Sequence, residues 1–67
     1  MAEVYFTATQ DKKAARIVAS SAQRAGDLKA MLSEKGVQCG GTFDVGPSFS
    51  RSPSEARAAL RFLNLIL

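Results

Sequence analysis

The 67-residue chain contains one cysteine and no histidine, and this constrains its folding more than any other feature. A lone cysteine forms no internal disulfide, and a Cys/His zinc site has no ligand set to draw on. At this size folding buries only roughly 60% of the surface exposed by the unfolded chain. A single small apolar core must therefore hold one domain together, and self-association or a bound partner is the natural supplement. The composition suits such a core: hydrophobic residues make up 46% and charged residues 22%, a globular balance unlike that of disordered chains.

Val4-Tyr5-Phe6-Thr7-Ala8-Thr9 is rich in β-branched and aromatic residues. Val4, Phe6 and Ala8 share one side of a pleat, so a strand is predicted over 3–9. Thr9 or Asp11 can cap a helix beginning near Lys12, on which Ala14, Ile17, Val18, Ser21, Ala25, Leu28, Met31 and Leu32 form one stripe. Gly26 is the objection to one continuous helix, but the stripe keeps its phase across it. A helix over 12–35 is predicted, ending at Gly36 as a left-handed cap. Val37, Cys39, Phe43 and Val45 then follow a period of two, predicting a strand over 37–45 that Gly40-Gly41 interrupts by a bulge or a hairpin turn. Ser52-Pro53-Ser54-Glu55 is the clearest local signal: serine at N-cap, proline at N1 and glutamate at N3 make a capping box. It predicts a second helix over 53–67.

These elements specify a small α/β domain of strand, helix, strand, helix order, with a short two- or three-stranded sheet that oligomerisation can complete. Parallel strands joined by a right-handed crossover are the expected topology. Nothing at the N-terminus resembles a signal peptide, no apolar stretch approaches the ~20 residues of a membrane helix, and a lone cysteine suits a reducing compartment. A cytoplasmic protein that engages no membrane is expected.

The inventory argues against self-contained catalysis. There is no histidine, no acidic pair at a cooperative spacing, and no nucleophile elbow around Ser48 or Ser50. Cys39 shares a pleat face with Val37, Phe43 and Val45 and reads as an inert buried thiol. Neither a Walker pattern nor a dinucleotide fingerprint is present, so no cofactor, metal site or enzymatic activity is expected.

Two surfaces remain as binding candidates. Leu60, Phe62, Leu63, Leu65, Ile66 and Leu67 surround the second helix, and a helix that is apolar on all sides must be covered on all sides. A protein partner or a homo-oligomer is expected there. The alternative is an anionic ligand or nucleic acid. With parallel strands, both helix N-termini meet at one edge, which collects Thr9, Lys12, Lys13, Arg16, Ser50, Arg51 and Ser52. The net charge of +3 is compatible with such a ligand but names none. A small non-enzymatic interaction module, accessory or regulatory, is the expected function.

Overall fold

The computed structural model describes residues 3–67. Its chain begins with a hairpin: β1 (Val4–Gln10) and β2 (Lys13–Ala19) pair antiparallel, from Val4 opposite Ala19 to Gln10 opposite Lys13. Between them Asp11 (φ 52°) and Lys12 (φ 66°) both lie in the left-handed region, as the two central residues of a type I′ turn require. Val4, Phe6 and Ala8 are buried as their alternation predicts, and Ala15, Ile17 and Ala19 of β2 extend the same apolar face.

The expected helix over 12–35 is thereby corrected, because its first third is a strand. Ala14, Ile17 and Val18 fit a helical stripe, yet Ala15, Ile17 and Ala19 fit a period of two equally well. Pairing with the apolar face of β1 settles the ambiguity in favour of the strand, since sheet preference follows cross-strand packing and burial.

The helix proper, α1 (Ala22–Glu34), starts two residues after β2. Ser21 caps it, its Oγ accepting the Arg24 N–H at 3.2 Å. Ala25, Leu28 and Leu32 are buried, the part of the predicted stripe that stays helical, and the helix runs through Gly26. It ends as predicted at Gly36 (φ 83°). The Gly36 N–H donates to Ser33 O and the Val37 N–H to Leu32 O, the paired bonds of a Schellman cap.

From the cap the chain enters β3 (Gln38–Asp44), which pairs antiparallel with the free side of β1 and gives the order β2-β1-β3. The glycine pair is a bulge: Phe6 faces Thr42 and Ala8 faces Cys39, so Gly40 and Gly41 together oppose Thr7. The extra residue switches the pleat. Cys39 therefore shares the core face with Ala8, whereas Phe43 stands opposite Tyr5 on the other face, which corrects the single face expected for both. The parallel arrangement is corrected too. Because β2 reverses the chain before α1 begins, β3 returns antiparallel to β1.

Ser52 caps α2 (Pro53–Asn64), its Oγ accepting the Glu55 N–H at 3.2 Å. Ala59 and Phe62 of α2 join the six buried strand residues, the three of α1 and Val37 in one core. The domain is thus a small α/β fold with a three-stranded antiparallel sheet and two helices, and the predicted strand, helix, strand, helix order gains β2 as an added member.

Candidate functional site

The most elaborate polar contacts lie where α2 begins. Arg16, in the middle of edge strand β2, forms a two-point ion pair with Glu55: Nε donates to Oε2 at 2.7 Å and Nη2 to Oε1 at 2.8 Å. The Arg16 backbone N–H also donates to Glu55 Oε2 at 3.2 Å, and its carbonyl accepts from Arg51 Nη1 at 3.2 Å. Both backbone groups of a residue on an exposed sheet edge are thus satisfied by side chains, which blunts that edge against pairing with foreign strands. Arg16 Nη2 also donates to Ser50 O. Its guanidinium carbon lies 4.6 Å from the Phe49 ring centroid and 5.9 Å from that of Tyr5, and Tyr5 packs on Phe49 and Phe43 with centroids 4.8 and 5.8 Å away.

The hydrogen bonds from Arg16 hold the Glu55 carboxyl below its ordinary pKa, and the same bonds raise that of the guanidinium. The sequence pattern makes Glu55 the N3 member of a capping box. It receives the Ser52 cap at its N–H, but its carboxylate reaches across to β2 instead of back to Ser52. The helix-start signal was legible, whereas the long-range partner was not, because 39 residues separate Arg16 from Glu55.

The predicted anion edge is therefore only half assembled. Arg16, Ser50, Arg51 and Ser52 do meet, yet Arg16 is bound by Glu55 and Ser50, Arg51 donates to Arg16 O, and Ser52 caps α2. Thr9 lies within β1, Lys12 in the hairpin turn and Lys13 at the start of β2. None of the three is at the start of α1, which lies beyond the opposite end of β2, although Lys13 lines a groove with Ser52 and Ser54 at the start of α2.

α2 ends at Asn64, short of the predicted 67, so Leu65, Ile66 and Leu67 follow the helix instead of surrounding it, and this apolar end of the chain divides sharply. Phe62 is 3% exposed and belongs to the core, with Leu63 and Ile66 packed against it, while Leu60, Leu65 and Leu67 are 60%, 40% and 95% exposed. Between this end and α1 runs a groove of about 440 Å³ floored by Leu28, Met31, Leu63 and Ile66, with Leu67 at its margin. A shallower hollow beside it brings Leu65 together with Met31, Glu34 and Lys35. Leu28 and Met31 were visible in the sequence as a helical stripe, and their contribution to a surface groove needed the packing of α2.

Cys39 is half-buried, with Sγ 3.9 Å from Lys29 O and 4.0 Å from Val37 O. Burial pushes its thiol pKa up, only partly offset by the Lys29 ammonium, so the protonated form dominates at neutral pH. Among the described residues no group of three or more acidic, histidine or cysteine side chains lies where it could hold a metal ion. None of the helices described is long and apolar enough to cross a membrane.

With this geometry in hand, no protein-family model, curated protein or solved structure was found to match the chain.

Proposed function

We propose that the chain is a non-enzymatic interaction module that works by docking a protein surface, a second copy of itself, onto the groove between α1 and the end of α2. The observation that carries this reading is the run of apolar side chains left uncovered there: Leu65 and Leu67 stand in water beside the half-buried Met31, Leu63 and Ile66. A contiguous apolar surface at the margin of a small core is favourable to cover and unfavourable to leave wet. The rim supports a second copy as the occupant. Arg24 lines the groove, and Glu34 and Lys35 the hollow beside it, so a two-fold arrangement can set Glu34 of each copy against a cation of the other. A stable pair buries roughly 800 Å² per partner, about a sixth of the 4573 Å² that this chain exposes. The thiol of Cys39, held protonated and half-buried, suits the reducing cytoplasm.

The basic-edge reading has less to support it, since both of its arginines are engaged within the fold. Light scattering across micromolar concentrations tests self-association. A dimer that Leu65→Asp with Leu67→Asp converts to a folded monomer is the expected outcome, and a wild-type protein that stays monomeric throughout the range contradicts it.

A further inference from the structure

Beside the covered edge of β2 runs a second groove, of about 680 Å³, lined by Lys13 and Ala14 of β2 and by Ser52, Ser54, Glu55, Arg57, Ala58 and Arg61 of the α2 side. Its charges are unbalanced. Lys13, Arg57 and Arg61 line it together, and none of them forms an ion pair among the described residues. The carboxylate in the lining, Glu55, is taken by the two-point pair with Arg16 and has little charge left to offer them. Asp11, at the hairpin tip, lies near Lys13 and Arg61 in a small adjoining hollow, also without an ion pair.

Arg61 suits the last turn of α2, but side-chain pairing along the helix does not favour the cluster as a whole. Arg57 and Arg61 are four apart on α2, a spacing at which like charges destabilise a helix slightly, and packing against β2 adds the Lys13 ammonium to the same groove. The Ser54 hydroxyl is a further donor at the α2 start, 3.3 Å from Ser52 Oγ. Ammonium, guanidinium and hydroxyl donors facing one space are the chemistry that takes up phosphate oxygens.

We propose that this groove binds a diphosphate group. Two guanidiniums, an ammonium and a hydroxyl match the larger set of oxygens of a diphosphate better than that of a single phosphate monoester. A nucleic-acid strand is disfavoured because the aromatic cluster of Tyr5, Phe43 and Phe49 that could stack bases lies on the other face of the sheet, outside the groove lining. The site is separate from the α1/α2 groove and does not depend on self-association.

The test is titration of the intact chain at low salt with inorganic pyrophosphate and, in a second arm, adenosine diphosphate, read by amide chemical shifts. Saturable shifts at Lys13, Ser54, Arg57 and Arg61 are expected with pyrophosphate, weakening as salt rises. Comparable binding of the nucleotide means that the phosphates alone are read, and tighter binding means that the groove also takes the nucleoside. Arg57→Glu should weaken pyrophosphate binding roughly tenfold or more, the scale of one hydrogen bond to a charged group. Lys29→Glu makes the same charge change on α1, outside the lining of this groove, and should leave the affinity nearly unchanged. Arg61→Gln, a milder change at an exposed position, repeats the measurement if Arg57→Glu perturbs the fold. Absence of saturable binding, or equal weakening by Arg57→Glu and Lys29→Glu, overturns the proposal.

Discussion

The two halves of α2 satisfy their side chains in opposite ways. In the first half the polar groups that face β2 and the helix start have partners inside the chain: Ser52 caps the helix, Glu55 holds Arg16, and Arg51, just ahead of the cap, closes on the Arg16 carbonyl. In the second half Ala59 and Phe62 reach the core, but Leu60 and, just past the helix, Leu65 and Leu67 find nothing to cover them. The chain has enough surface to tie the start of this helix to β2 and too little to bury the apolar side chains at its end, as expected of a domain with so small a core. The difference separates what stabilises the monomer from what is left for a partner.

Substitutions along α2 can break or sharpen that contrast. The largest effect is expected at Phe62, because Phe62→Ala removes a large side chain from the core and should cost about 3–5 kcal/mol. That is close to all the stability that a core in a domain this small supplies, so chemical denaturation should find the variant largely unfolded. Ser52→Ala comes next, with a loss of about 1 kcal/mol for the lost cap, measured in the same way.

Glu55→Gln should show its effect mainly as a change in pH dependence. The Glu55 pKa is depressed in the folded state, so its contribution is fully present above the ordinary carboxylate range and is lost as pH falls through the folded value. Wild type should therefore exceed Glu55→Gln in stability at neutral pH, and the gap should narrow on acidification. A gap that stays constant with pH would mean that the ion pair does not couple to folding. The smallest stability change belongs to Leu67→Asp, within about 0.5 kcal/mol for a position 95% exposed, although it should shift assembly strongly. If instead it unfolds the protein, the end of the chain is tied into the core as firmly as the helix before it.

Much of this fold could be read where signals are local. The Ser52-Pro53 start, the Gly36 stop and the Val4-Phe6-Ala8 face each rest on residues that decide their own conformation, and each is realised. β2 was missed because its decisive interaction is with β1, and because Asp11-Lys12 forms a turn more often marked by Asn-Gly or Asp-Gly. Misreading that one strand displaced Lys12 and Lys13 to an imagined helix start and produced the parallel sheet. The glycine pair announced an irregularity, but the switch of face between Cys39 and Phe43 depends on register with β1, which no stretch of sequence shows by itself.

The central claim is that the uncovered end of α2 meets α1 and α2 of a second copy. Isotope-filtered nuclear Overhauser spectroscopy on a mixture of labelled and unlabelled chains tests it most directly, because only contacts between molecules survive the filter. Cross-peaks from the methyl groups of Leu65, Leu67 and Met31 to the same region of the other chain are the predicted result. Intermolecular contacts confined to β3 and Phe43, or none at millimolar concentration, would contradict it.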